Sequence, residues 1–291
     1  MRFDKLPSQL PLSPAADAYG LECLAKSEAA LPSLNAHLDL PYGDDYWQRL
    51  DVFCPPDAGH HDLPVLLFFH GGGWTHGYKE WCSFMATPLV SLPCIFVSAS
   101  YRLLPEANFP APFDDAYQAL LWVDRHIERF GGSRQRIHLG GHSAGGQLAS
   151  MLAVRRDERL ALGLPADGVK ACFCISTTFN RRVVNEHIAP HLVTGEAPSA
   201  VSPTSSLAFA GQADVPFLIT WGGNENPRYE TFSLLMAKTL REAGCRVQTR
   251  RFDACGHFDI HLNTGYADDQ WTIDVRHFMQ TGHFKQEFSD E

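Results

Sequence analysis

Short apolar runs alternate along most of this chain with longer stretches whose apolar residues recur every three or four positions. The short runs predict strands at Arg49–Phe53, Val65–Phe69, Cys94–Ala99, Ile137–Gly140, Val169–Ile175, Phe217–Trp221 and Val247–Phe252. Several are apolar at successive positions, and therefore on both faces, which suits central parallel strands covered by helices on each side. Between them, Ala116, Leu120, Val123 and Ile127 fall at helical spacing within Asp114–Phe130, and Gly131-Gly132 supplies the stop. Further helices are predicted at Ala144–Val154, at Tyr229–Ala243 ahead of Gly244, and at Asp268–Met279. The alternation predicts an α/β architecture, a mostly parallel sheet with helices on both faces.

Two stretches break the pattern. Residues 1–45, with prolines at 7, 11, 14, 32 and 41, precede the sheet and read as an N-terminal extension that begins as a surface loop. Residues 177–213 hold Pro190, Pro198 and Pro203 among Ser, Thr and Ala. That is too long for an ordinary connection, so it reads as a cap or lid over a site. No internal repeat is visible, and residues 1–291 read as a single domain.

Charge narrows the partners. Lys and Arg number 24 against 33 Asp and Glu, a net −9. Nucleic acids and anionic membranes require a basic face, and the longest basic runs are the pairs Arg181-Arg182 and Arg250-Arg251. Apolar runs fall far short of the roughly 20 residues that span a bilayer. The opening MRFDKLPSQLPLSP lacks an apolar signal region, so a soluble, cytoplasmic protein is expected. The eight cysteines include no C-x-x-C pair; Cys172 and Cys174 share one face of a strand and read as buried thiols. His187 and His191 are separated by the helix-breaking Pro190, and His60-His61 lies in a loop, so neither metal nor cofactor is expected.

Chemistry concentrates in Gly141-His142-Ser143-Ala144-Gly145, which follows one predicted strand and opens a predicted helix. A tight strand-to-helix turn of this kind exposes its serine as a nucleophile, and small residues flank it because the turn is cramped. The bland alternative is a structural turn with an incidental serine. Upstream, His70-Gly71-Gly72-Gly73-Trp74 follows a buried strand directly. Its glycines let backbone N–H groups approach a bound group, so Gly72 and Gly73, with Ala144, are the candidate oxyanion donors. A phosphate loop is excluded, since neither G-x-G-x-x-G nor G-x-x-x-x-G-K-[ST] can be written here. A serine needs a base and the base an orienting acid. His257 stands in the loop after the last predicted strand, and Glu225 is the sole carboxylate of the loop Gly222–Arg228 after the preceding one. Asp253 and Asp259 are runners-up to Glu225, too near His257 in sequence to reach its far nitrogen.

Together, His-Gly-Gly-Gly-Trp at 70–74, Tyr101-Arg102-Leu103-Leu104-Pro105-Glu106, Phe109-Pro110-Ala111-Pro112-Phe113-Asp114-Asp115-Ala116 and Gly-His-Ser-Ala-Gly at 141–145 resemble the hormone-sensitive-lipase-like esterases of the α/β-hydrolase superfamily. Tyr42-Gly43, Gln48-Arg49-Leu50-Asp51-Val52, Glu225-Asn226-Pro227-Arg228-Tyr229 and Gly256-His257-Phe258-Asp259-Ile260 are closer to the kynurenine formamidase branch. The esterase pattern has Asp where Asn226 stands; the formamidase pattern has its acid one residue earlier, at Glu225, usually as Asp. The resemblance implies an eight-stranded, mostly parallel sheet with a small cap, and acyl transfer through Ser143, His257 and Glu225. Analogy with both branches makes a homodimer plausible.

Trp74, Tyr78, Trp81, Phe179 and Phe258 are the aromatic candidates for the substrate pocket, with His76 and Asn180 as polar ones; the alternative places the aromatics in the core. The expected substrate is a small acyl ester or an N-acyl or N-formyl aromatic amide. The rivals are a strict aryl-formamidase and, from another class, a non-catalytic ligand-binding protein of the same fold.

Overall fold

A computed structural model describes residues 2–56, 59, 61–180 and 205–285. Its strands are β1 (Asn35–Pro41), β2 (Arg49–Cys54), β3 (Leu63–Phe69), β4 (Ile95–Ala99), β5 (Gly132–His142), β6 (Val169–Ile175), β7 (Phe217–Gly222) and β8 (Val247–Phe252). They form one sheet in the order β1-β2-β4-β3-β5-β6-β7-β8. β2 pairs antiparallel with both β1 and β4, and every later pair is parallel. The helices are α1 (Pro14–Ala30), α2 (Ala86–Val90), α3 (Ala111–His126), α4 (Ala144–Val154), α5 (Arg156–Ala161), α6 (Ser206–Phe209), α7 (Arg228–Glu242), α8 (Asp259–Asn263) and α9 (Gln270–Thr281). Among the described residues, no helix is long and apolar enough to cross a membrane.

The consecutive apolar runs serve two cores, one on each side of the sheet. Val65, Leu67 and Phe69 of β3 join Leu120, Leu148 and Leu152 from the helices on one side. Leu66 and Phe68, pointing the other way along the same strand, join Tyr19, Cys23, Trp271 and Val275. Cys172 and Cys174 do share a face, with their sulfurs 3.5 Å apart, and are free thiols.

Past its opening segment, the N-terminal stretch holds a helix and a strand that the periodicity did not predict. Pro14 starts α1 rather than breaking it, because the first turn of a helix has no use for its missing N–H. Ser13 caps that turn, accepting from the Ala16 N–H at 3.2 Å. Residues 35–41 then form the edge strand β1. Buried charge pins that edge: Lys79 Nζ lies 2.8 Å from Asp39 on β1 and 3.0 Å from Asp51 on β2. Residues 181–204 of the expected cap lie outside the described residues. Of the remainder, Thr177–Asn180 is buried and residues 206–209 form α6.

His138 on β5 is buried at 3% exposure, stacked on Phe173, with Nδ1 3.1 Å from the Val65 carbonyl. Burial pushes its imidazole down to about 4, so the folded chain keeps it neutral where an unfolded chain would protonate it. Protons taken up only by the unfolded state make stability fall as pH drops, here from the ordinary value near 6.5 towards 4. His138→Phe should make the slope of unfolding free energy against pH in that window shallower by one proton, about 1.4 kcal/mol per pH unit. Urea titrations across the window measure both slopes; equal slopes would refute a neutral His138.

Candidate active site

The parallel strands deliver their following loops to one edge of the sheet, where β3, β5, β7 and β8 bring the glycine loop, Ser143, Glu225 and His257 together. Ser143 joins β5 to α4 with φ 54° and ψ −115°, a backbone state rare for a residue with a side chain. The turn closes so tightly that a Cβ on Gly145 would stand 2.1 Å from the Phe69 carbonyl oxygen, and one on Gly141 would stand 2.3 Å from Gly145. Both positions therefore require glycine.

Ser143 Oγ lies 3.1 Å from His257 Nε2, and His257 Nδ1 lies 2.7 Å from Glu225 Oε2. Glu225 Oε1 accepts from the Gly222 N–H at 2.8 Å and from the Ser176 hydroxyl at 3.1 Å, which fixes the carboxylate on both sides. The runners-up are engaged elsewhere: Asp253 pairs with Arg251, and Asp259 accepts from the Gly256 N–H. Burial raises the Glu225 carboxyl to about 7, against the pull of those two hydrogen bonds. Burial, helped by the Arg228 charge, pushes His257 down to about 3, which favours the neutral imidazole that can take a proton.

A cavity of about 220 Å³ opens over Ser143, lined also by Gly72, Gly73, Ala144 and His257. Gly72 has φ 123°, and a Cβ there would stand 2.0 Å from the His76 carbonyl oxygen, so the loop can take this course only with glycine. Of the predicted aromatics, Trp74, Trp81 and Phe258 line the cavity. Tyr78 and Phe179 do not. Tyr78 stacks on Trp47 and its hydroxyl binds the Pro7 carbonyl; Phe179 is fully buried in the core. His76 bonds to Thr75 and to the Leu10 carbonyl, and Asn180 is buried beside Ser205.

Sequence reasoning missed the wall supplied by α1 and its approach (Leu12, Ser13, Ala16 and Tyr19), and also Arg228 and Tyr229 at the start of α7. The Ser13-Pro14 start signal, followed by buried Ala16, Tyr19, Gly20, Cys23 and Ser27, was the available clue to α1.

Tyr19 also reaches beneath the site. His142 Nε2 lies 2.9 Å from the His257 carbonyl, which can only accept, so this nitrogen carries the proton. His142 Nδ1 then accepts from the Tyr19 hydroxyl at 3.3 Å, and the Tyr19 oxygen accepts from His261 Nδ1 at 2.9 Å. His261 Nε2 is left to accept from the Cys82 thiol at 3.7 Å. One direction of donation thus runs from Cys82 to the backbone of His257. Burial lowers both histidines and raises Tyr19 and Cys82, keeping all four neutral.

The alpha/beta hydrolase fold family matches residues 66–260, and the chain belongs to it. The chain is 26% identical over 230 residues to the kynurenine formamidase of Danio rerio, covering 77% of this chain and 75% of that protein. It is 39% identical over 103 residues to carboxylesterase NlhH of Mycobacterium tuberculosis, covering 35% of this chain and 32% of that protein. A hyperthermophilic esterase from the archaeon Pyrobaculum calidifontis has the same fold, with a TM-score of 0.68 at 21% identity over 94% of this chain and 99% of that one. Relatives thus come from both branches that the motifs resemble.

Tyr19→Phe keeps the ring stacked on Phe258 at 4.5 Å but strands His142 Nδ1 and the His261 N–H. Unmet buried polar groups cost roughly 1–3 kcal/mol each, so the variant should lose about 2–4 kcal/mol of stability in urea unfolding. An unchanged midpoint would refute the chain of donors.

Proposed function

We propose that the chain is a serine hydrolase that cleaves small acyl esters or N-acyl and N-formyl aromatic amides through an acyl-enzyme. The observation that carries this reading is the unbroken hydrogen-bonded line from Ser143 Oγ through His257 to the buried Glu225 carboxylate. Ser143 attacks the acyl carbonyl while His257 Nε2 takes its proton. Glu225 holds the imidazole in the tautomer with Nδ1 protonated and stabilises its positive form. The N–H groups of Gly72, Gly73 and Ala144 take the negative oxygen of the tetrahedral intermediate. His257 returns the proton to the leaving alcohol or amine, and water then attacks the acyl-serine by the same route. No step calls for a cofactor.

Size and lining support a small, planar substrate. At about 220 Å³ the cavity is below the roughly 300–1,000 Å³ of drug-sized sites, and Tyr19, Trp74, Trp81, Tyr229 and Phe258 line it. These aromatics, and the match to a kynurenine formamidase along three quarters of the chain, favour aryl-formamidase activity as the second reading.

Parallel hydrolysis of p-nitrophenyl acetate and N-formylkynurenine tests both readings. Ser143→Ala should lower kcat by about 10⁶-fold, and Glu225→Ala by about 10⁴-fold. Formamide cleavage orders of magnitude more efficient than ester cleavage would establish the second reading. Turnover of neither, with a serine inert to a fluorophosphonate probe, would refute the hydrolase and leave a ligand-binding protein.

A further inference from the structure

Arg228 is a cation in the same cavity as Ser143 and His257. It is the first residue of α7, and its guanidinium lies 5.2 Å from the ring of Tyr229, which in turn stands 4.4 Å from the imidazole of His257. Among the described residues, no carboxylate makes a contact ion pair with it, although its charge favours the ionised form of Glu225 from further off. Those of the neighbouring loops are committed elsewhere: Glu225 to His257, Ser176 and the Gly222 N–H, Glu230 and Asp253 to Arg251, and Asp259 to the Gly256 N–H. Its Nε is sealed from solvent and, among the described residues, has no hydrogen-bond acceptor.

Such an arrangement is costly to an empty site in two ways. A buried guanidinium N–H without an acceptor forfeits its hydration. A positive charge close to His257 also opposes the imidazolium that forms when Ser143 attacks, and its effect on His257 is in that direction. A negative group on the substrate removes both costs at once, since a guanidinium binds a carboxylate through two parallel hydrogen bonds. The position of Arg228 assigns that group to one half of the substrate. The leaving group must depart on the side of His257, which protonates it, and that is the side on which Tyr229 and Arg228 stand.

Resting on the hydrolase reading above, we propose that Arg228 is the specificity-determining residue of this site, and that the substrate's leaving alcohol or amine carries a carboxylate. The aromatic walls beside it fit an aryl leaving group, such as a carboxylated phenol or aniline.

Three esters test this: 4-acetoxybenzoate, its neutral analogue 4-acetoxybenzamide, and mono-(4-nitrophenyl) succinate, whose carboxylate lies on the acyl half. The native enzyme should hydrolyse 4-acetoxybenzoate with kcat/KM at least tenfold above the amide, the difference lying mainly in KM. Arg228→Gln should bring the ratio to one or below, with Arg228→Met as a second variant should the first fold poorly. Preference for the succinate ester alone would overturn the assignment to the leaving group. An equal ratio in native and variant proteins would overturn the role of Arg228. In a Ser143→Ala background, titration with 4-acetoxybenzoate reads binding without chemistry. Tenfold weaker binding on adding Arg228→Gln supports the anion site even if no ester is turned over, a result that would count against the hydrolase alone. Equal binding would sink the anion site independently of catalysis.

Discussion

A serine at φ 54° and ψ −115° stays there only because its surroundings leave it nowhere else to go. The Ser143 N–H is held by the Ile175 carbonyl of the neighbouring strand at 2.8 Å. The turn on either side is packed backbone to backbone through Gly141 and Gly145, against the end of β3. Behind it, all eleven residues of α4 are buried, so the helix cannot shift to relax the bend. This one constrained turn places Ser143 at the edge of the sheet and sets Ala144 at the start of a helix. The glycine loop after β3 and the loops of Glu225 and His257 then have a fixed point to converge on.

Much of the motif pattern in this chain is scaffold around that point rather than chemistry. Tyr101 stacks on His70 at 4.4 Å and donates to its carbonyl at 3.0 Å, fixing the entry to the glycine loop. Arg102 makes a two-toothed pair with the fully buried Asp115, which also accepts from the Arg102 N–H and from Gln48. The Tyr-Arg-Leu and Phe-Asp-Asp-Ala segments are therefore clasped to each other, and a break in this pair would leave a buried carboxylate unpaired, the expensive case.

The N-terminal segment binds the opposite wall. α1 contributes lining residues to the cavity and, through Tyr19, a hydrogen-bonded support that ends on the backbone of His257. Because the Tyr19 ring also stacks on Phe258, the same side chain braces the histidine loop by packing and by hydrogen bonds. The site is thus assembled from both ends of the chain around a centre that its middle supplies.

Local pattern was enough for much of this. Strand periods located seven of the eight strands, and β6 and β8 match their predicted limits; β6, buried almost throughout, announces itself in composition, whereas β8 is largely half-buried. Ser143, Glu225 and His257 were legible because each sits at a fixed place relative to a strand end, and the sheet brings strand ends together. The edge strand β1 escaped notice because alternate residues face solvent and prolines flank it, so its stability comes from β2 and from the Asp39–Lys79–Asp51 cluster. Tertiary structure alone decided that Trp81 reaches the cavity while Tyr78 turns under the N-terminal segment. It also decided that Tyr19 meets partners 123 and 242 residues away, and that Arg228 faces the site without an ion pair among the described residues. The sequence by itself determined which residues are the candidates for reactive chemistry and the order in which strands present them, since these depend on neighbours along the chain. Which side chains wall the site and which charges go unmatched depend on segments far apart in sequence, whose meeting only the packed sheet and its two cores establish.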